Sequence, residues 1–88
     1  MSIKELSRIV STLKNDKDVY QFFRELLTES ELDTLSKRWR ILNMLKEGKT
    51  QREIAQNLGV SLCKVTRGAK ILKSKKSIIT KILDERTK

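Results

Sequence analysis

The segment from Gln51 to Arg67 constrains the fold of this 88-residue chain more than any other segment. Apolar residues recur at helical spacing on both sides of Gly59, a residue that readily takes the left-handed conformation that ends a helix. Ser61 then stands where its hydroxyl can cap a second helix, and the small Ala55 lets the two helices cross closely. The pattern predicts two short helices joined by a tight turn, a helix-turn-helix. A plain helical hairpin is the alternative interpretation.

The whole chain has no proline and only three glycines. We therefore expect the rest of the sequence to be helical as well. Ser2, Thr28 and Thr50 are each followed three residues later by glutamate, the pattern of a capping box that begins a helix. The predicted fold is therefore all-α, with about six short helices, a central helix-turn-helix and one domain over residues 1–88.

The helix boundaries follow from polar breaks between apolar stretches. We expect breaks at residues 15–18 and 73–77, a recognition helix from about Leu62 to Leu72, and fraying of the tail from Asp84 to Lys88. A third helix, near residues 29–46, carries two adjoining apolar lines. Such a helix suits the centre of an interlocked dimer and equally the middle of a monomeric bundle.

Charge is distributed unevenly along the chain. Residues 1–33 carry 5 basic and 7 acidic side chains, net −2, whereas residues 34–88 carry 15 basic and 4 acidic ones, net +11. The whole chain has a formal charge of +9 and a pI near 10.0. Because the basic part contains the predicted helix-turn-helix, the distribution is typical of a nucleic-acid binder.

Composition argues against several other classes of protein. No stretch approaches the ~20 apolar residues of a membrane span, and we expect neither membrane association nor a secretory signal peptide. Histidine is absent and Cys63 is the single cysteine, so we expect no internal disulfide, no metal site and a cytoplasmic location. No base that could activate Cys63 is recognisable, which makes an enzyme the least expected class.

Three motifs between about Val19 and Leu72 resemble the tryptophan (Trp operon) repressor family. They are Leu27-Thr28-x-x-Glu31-x-x-x-Leu35, Arg38-x-Arg40-Ile41, and Thr50-Gln51-Arg52-Glu53 followed at a fixed distance by Thr66-Arg67-Gly68. The last pair, which encloses the predicted helix-turn-helix, is the most specific. The resemblance implies an intertwined homodimer whose two recognition helices enter successive major grooves of operator DNA. It implies no cofactor other than L-tryptophan, which acts as corepressor.

The resemblance also implies a ligand site. It places the indole ring of tryptophan between Arg38 and Arg67, where a guanidinium group can stack on an aromatic face. Gly68 would leave room for the ring, and Thr28 would join Arg67 at the ligand carboxylate. The ammonium group would be received by main-chain carbonyls around two further residues, Glu25 and Leu27.

Each of these residues has a simpler alternative role. Thr28 can serve only as a helix cap, the two arginines can contact DNA phosphates, and Gly68 can serve only close helix packing. The chain also departs from the family pattern at Ile71, where the family commonly has a serine, and in a shorter turn ahead of the helix-turn-helix. The effector could accordingly be tryptophan or a related indole.

The DNA-binding residues divide by expected role. Those at the exposed start of the recognition helix, together with the first residues of the helix-turn-helix, are expected to face base edges: Leu62, Cys63, Lys64, Thr66, Gln51 and Arg52. Cations suited to phosphate contacts are Arg40, Lys49, Lys70 and Lys73. Cys63 is either a small residue tolerated at the interface or a redox sensor.

Three functions are consistent with these patterns. The leading hypothesis is an L-tryptophan-dependent transcriptional repressor that binds a palindromic operator. The alternative is a ligand-independent DNA-binding regulator of the same fold. A third hypothesis is an interaction module, such as a small antitoxin or adaptor, whose basic surface contacts an acidic protein.

Overall fold

A computed structural model describes residues 2–86 as six α-helices, with no strand in that range. The helices are α1 (Ile3–Thr12), α2 (Asp16–Leu26), α3 (Glu29–Lys46), α4 (Gln51–Leu58), α5 (Leu62–Lys73) and α6 (Ile78–Arg86). The all-α prediction is confirmed. Over the same residues, every helix is too short or too polar to cross a bilayer.

Side-chain caps begin α3 and α4 as the sequence predicts. The Thr28 amide donates to the Glu31 carboxylate at 2.9 Å, while the Glu31 amide donates to the Thr28 hydroxyl at 3.1 Å. At the start of α4, the Glu53 amide donates to the Thr50 hydroxyl at 3.2 Å. These bonds satisfy main-chain amides that have no partner within the first turn of a helix.

The predicted break at residues 15–18 is wrong for most of its length, because α2 begins at Asp16. Asn15 is the cap: its side-chain oxygen accepts a bond from the Asp18 amide at 2.9 Å. Two aspartates in the first turn are favourable beside the positive end of the helix dipole. Residues that looked like a polar linker are therefore a helix start.

The predicted fraying from Asp84 onward is also wrong as far as Arg86, the last residue of α6. Lys46 on α3 donates to the Asp84 carboxylate at 2.5 Å, and Leu83 beside it is only 2% exposed. The Thr80 hydroxyl donates to the Ile71 carbonyl at 3.2 Å, which ties α6 to α5 as well. The rest of that predicted tail, residues 87 and 88, lies outside the described residues. The predicted break at residues 73–77 differs from the structure by one residue, because α5 ends at Lys73.

The chain divides after Asp33, inside α3, into two compact units. The same boundary separates the segment with a net negative charge, residues 1–33, from the segment with a net positive charge, residues 34–88. In the first unit, α1 and α2 bury no residue, although each carries an apolar stripe. Tyr20 is 63% exposed and Leu26 is 51% exposed. The first unit by itself therefore leaves much of its apolar surface uncovered.

The second unit contains the hydrophobic core. Its centre consists of four buried side chains from α3, α4 and α5, namely Ile41, Ile54, Leu58 and Val65. Partly buried apolar side chains pack around them, from Met44, Leu45, Ala55 and Val60. The two helices of the helix-turn-helix are thus fixed against each other and against α3.

The turn of the helix-turn-helix has the predicted conformation. Gly59 ends α4 with φ at +65°, in the left-handed region that favours glycine. The Val60 amide donates to the Ala55 carbonyl at 3.1 Å, and Ser61 caps α5 by accepting from the Lys64 amide at 3.4 Å. The chain therefore reverses within a few residues and starts α5 directly.

Candidate nucleic-acid interface and ligand cleft

The exposed outer face of α5 is made of Leu62, Cys63, Thr66 and Lys70. All four residues are exposed, and together with Arg67 they surround a shallow hollow. Val65 and Gly68 point the other way and are buried, as the 3.6-residue period of a helix requires. The outer face therefore brings together four residues that the sequence assigns to DNA. A protruding face of this kind can meet base edges and phosphates in a major groove.

Gln51, the first residue of α4, is joined to this outer face. The Thr66 hydroxyl oxygen lies 2.9 Å from the Gln51 side-chain oxygen, although 15 residues separate them in sequence. The bond agrees with the expectation that Gln51 acts beside the recognition helix. The other predicted DNA contacts apart from Lys64 are exposed but do not line the hollow: Arg40, Lys49, Arg52 and Lys73.

A separate cleft lies between α3 and α5. The empty volume of this cleft is about 450 Å³, part of which is open to solvent. The cleft is lined by residues that share one face of each helix, at helical spacing. They are Arg38, Ile41 and Leu42 on α3 and Lys64, Arg67, Gly68 and Ile71 on α5. The cleft therefore contains three of the six predicted ligand residues, namely Arg38, Arg67 and Gly68.

Gly68 brings the main chain of α5 against α3 beneath this cleft. A Cβ atom at this position would lie 3.1 Å from Ile41 Cγ2 and 3.3 Å from Leu45 Cδ1. Those distances are shorter than ordinary carbon–carbon contacts. Glycine thus permits the close helix packing that the sequence offered as its simpler role, and a larger residue would require the Ile41 and Leu45 side chains to move by a few tenths of an ångström. The same residue also lines the cleft.

Apolar groups and cations divide the cleft lining between them. Ile41, Leu42 and Ile71 supply alkyl groups, whereas Arg38, Lys64 and Arg67 are exposed cations. Within residues 2–86, the side chains of these three cations form no ion pair with a carboxylate. An apolar surface beside unpaired cations can accept an aromatic ring that carries an acidic group.

The other three predicted ligand residues belong to the first unit. The Thr28 hydroxyl accepts from the Glu31 amide, which confirms its role as a helix cap. The Glu25 carboxylate accepts a bond from the Gln21 amide group at 2.7 Å. The Leu27 amide donates to the Phe23 carbonyl and ends α2. Their ligand roles stay predictions.

The place of Lys64 in the cleft was not predicted from the sequence. The position of this lysine at the start of the recognition helix predicted base contacts instead. The missed signal is helical spacing, since residues 64, 67, 68 and 71 follow the i, i+3, i+4, i+7 pattern of one helix face. Within residues 2–86 the structure groups no three potential metal ligands together.

An all-α chain whose helix-turn-helix lies in a strongly basic segment and exposes the outer face of its second helix belongs to the helix-turn-helix class of DNA-binding proteins. Comparison with protein families gives the particular member of that class. Residues 1–87 match the family described as Trp repressor protein. The chain belongs to the Trp repressor family, a family of regulators, and the resemblance drawn from three motifs is confirmed.

Individual relatives agree with this assignment. A Trp operon repressor homolog of Chlamydia caviae is 39% identical over 67 residues, which are 75% of this chain and 66%, just under two thirds, of that protein. A Trp operon repressor homolog of Xylella fastidiosa M23 is 40% identical over 65 residues, 73% of this chain and 71% of the relative. The crystal structure of a candidate Trp repressor from Staphylococcus aureus matches with a TM-score of 0.79 and 34% identity. That match covers 97% of this chain and 85% of the other.

Proposed function

We propose that this protein is a transcriptional repressor that binds a palindromic DNA operator as a homodimer. The observation that carries the proposal is the outer face of α5, which is exposed and includes Lys70, with Arg67 beside it, while the opposite side of the same helix is buried in the core. The net charge of +11 on residues 34–88 supplies cations for phosphate contacts. Membership of the Trp repressor family supports the same function.

A homodimer is supported by apolar side chains that the single chain leaves in contact with solvent. Tyr20, Leu26 and Leu35 are 63%, 51% and 46% exposed. Extended apolar surface of this kind marks an interaction surface. A second copy is the occupant that fits, because a two-fold dimer presents two recognition helices to the two halves of a palindrome.

L-tryptophan is the proposed corepressor, and the cleft between α3 and α5 is its proposed site. The indole ring would stack between the guanidinium groups of Arg38 and Arg67, and Arg67 would pair with the carboxylate. The apolar floor and flanking arginines support this assignment. The family resemblance also implies ligand roles for Thr28 and for the carbonyls around Glu25 and Leu27.

Because the cleft is bounded by α5, a ligand in it would act on the same helix whose other side meets DNA. The ligand would add no base contact. It would favour the conformation in which α5 is set at the productive angle, to the extent that it binds this conformation more tightly than the alternative.

Fluorescence anisotropy with a labelled palindromic duplex tests the proposal, with and without saturating L-tryptophan. We expect tighter DNA binding in its presence and loss of this difference in Arg67→Ala, but not in Arg86→Ala, which removes an equal charge away from the cleft. Equal affinities with and without L-tryptophan would contradict ligand dependence and leave DNA binding intact. Equal affinity for palindromic and random duplexes would contradict the repressor assignment.

A ligand-independent regulator of the same fold is the second candidate. It is favoured by Gly68, whose close packing against α3 explains this glycine without any ligand, and by the alkyl side chain of Ile71 on the cleft. This candidate predicts DNA affinity that falls steeply with salt. It also predicts no change in melting temperature with any amino acid.

A further inference from the structure

We propose that the DNA interface of this protein extends past the helix-turn-helix onto the turn between α5 and α6, where Lys75 and Lys76 bind backbone phosphates. The proposal rests on the proposed DNA-binding function and adds a site to it. Neither lysine belongs to the outer face of α5 or to the phosphate contacts predicted from the sequence.

This turn lies in the longest stretch of the chain without an acidic residue. Residues 54–83 carry 7 basic side chains and no acidic one, net +7. Lys73, Lys75 and Lys76 place three of these charges within four consecutive residues, and all three are exposed. Within residues 2–86, none of the three forms an ion pair with a carboxylate. Like charges at this spacing repel one another, so a polyanion bound across them is stabilised.

Hydrogen bonds hold the two lysines in a defined turn. The Ser77 amide donates to the Ser74 carbonyl at 3.3 Å, so Lys75 and Lys76 are the two central residues of a β-turn. The Thr80 amide donates to the Ser77 hydroxyl at 3.3 Å at the start of α6. Because the main chain of the turn is already fixed, binding through these lysines does not require a loose segment to become ordered.

The turn is also attached directly to the recognition helix. The Ile71 carbonyl, in the last turn of α5, accepts from the Ser74 amide at 3.2 Å and from the Thr80 hydroxyl at 3.2 Å. These bonds join the end of α5, the turn and the start of α6. The position that α5 takes on DNA therefore also decides where the two lysines lie.

The length of α5 places the turn beside the phosphates and not beside the bases. A helix rises about 1.5 Å per residue, so Lys73 lies about 16 Å along the axis from Leu62, the first residue of α5. The major groove is only about 8.5 Å deep. When the N-terminal residues of α5 meet base edges, the end of the helix and the turn after it have left the groove. Lys75 and Lys76 can then contact the backbone without reading sequence.

Duplex DNA is the polyanion that fits this pair of lysines. Each strand carries one negative charge about every 3.4 Å along the helix axis, so two adjacent lysines meet phosphates whatever the base sequence is. The ammonium group of lysine suits such contacts, because it is a compact charge on a flexible side chain. An acidic protein surface is the alternative partner, and the test below distinguishes it.

Fluorescence anisotropy with a labelled random-sequence duplex, measured on the full chain at several salt concentrations, tests the proposal. The variant is Lys75→Gln/Lys76→Gln. We expect the slope of log affinity against log salt concentration to fall in magnitude by about 1.8 per protomer, from two contacts of about 0.9 each. At about 0.1 M salt the affinity should fall at least tenfold. The loss should be equal for a palindromic duplex, because phosphate contacts carry no sequence information.

The matched control is Lys14→Gln/Lys17→Gln, which removes two exposed lysines from residues 1–33. Both double variants have the same formal charge, so a difference between them reports the position of the lysines and not the total charge. We expect the control to keep the slope of the parent. Circular dichroism spectra that match the parent would show that each variant is folded.

The outcomes separate this proposal from the proposed function. Equal slopes for the two double variants would overturn the proposal, and so would a loss confined to the palindromic duplex. Weaker binding of Lys75→Gln/Lys76→Gln to polyglutamate, with DNA binding unchanged, would overturn it in favour of an acidic protein partner. Failure of the parent to bind either duplex would overturn the proposed function together with this proposal.

Discussion

The Thr66 hydroxyl oxygen lies 2.9 Å from the side-chain oxygen of Gln51 and 3.0 Å from the main-chain carbonyl of Leu62. A hydroxyl carries a single proton, so the two oxygens compete for it. The contact joins the first residue of α4 to the outer face of α5 at the position where DNA is proposed to bind. Gln51 is therefore held beside the recognition helix by a side chain that belongs to that helix.

A double-mutant cycle with Gln51→Ala and Thr66→Val measures this contact. Because both side chains border solvent, we expect a coupling free energy of about 0.5–1 kcal/mol, near the low end for hydrogen bonds. Urea unfolding at one fixed protein concentration provides the measurement. Additive losses in the double variant would show that the contact contributes nothing to stability.

Gly59→Ala should lower the free energy of unfolding by about 1–2 kcal/mol, the usual cost of a left-handed conformation for a residue with a Cβ. The loss can be assigned to backbone conformation, because a Cβ at this position would meet no atom within 4 Å. Gly59→Asn is the matched comparison and should lose less, since asparagine tolerates this conformation better. Equal denaturation midpoints for the parent and Gly59→Ala would contradict the assignment.

Asp84→Asn should destabilise the protein by about 0.2–1 kcal/mol, the range of exposed ion pairs. The Lys46 and Asp84 side chains are 35% and 50% exposed, so water screens much of their attraction. Glu85→Gln removes the same charge from the next residue and should have less effect. In 1 M salt, where the Debye length is about 3 Å, the difference between the two variants should largely disappear. A difference that is independent of salt would point to packing in place of charge.

Lys73→Met should weaken binding to every duplex by a similar factor, because the lysine is expected to contact phosphate and not a base edge. The slope of log affinity against log salt concentration should fall in magnitude by about 0.9 per protomer. Lys4→Met, in the acidic part of the chain, should leave the slope unchanged. A loss that depends on operator sequence would instead give Lys73 a role in base recognition.

Much of the helix-turn-helix could be predicted because its signals are local. Thr50, Gly59 and Ser61 act on atoms within a few residues of themselves, as caps or as the left-handed residue of a turn. The helix start at Asn15–Asp18 was not predicted, because a cap and two first-turn aspartates have the polar composition of a linker. The sequence predicted Leu62, Cys63 and Thr66 as one base-reading group and Lys70 as a phosphate contact, and the structure places all four on the outer face of α5.

The amino-acid sequence by itself determined the helical class, the helix-turn-helix, the sign of the charge along the chain and the family. These properties depend on periodicity and on neighbours within about one turn of helix. Only the tertiary structure decided that Lys64 shares a cleft with Arg38, that Gly68 lies against Ile41, and that Asp84 is held in a helix by Lys46. Each of these relationships joins residues far apart along the chain, so it exists only after α3, α5 and α6 have packed.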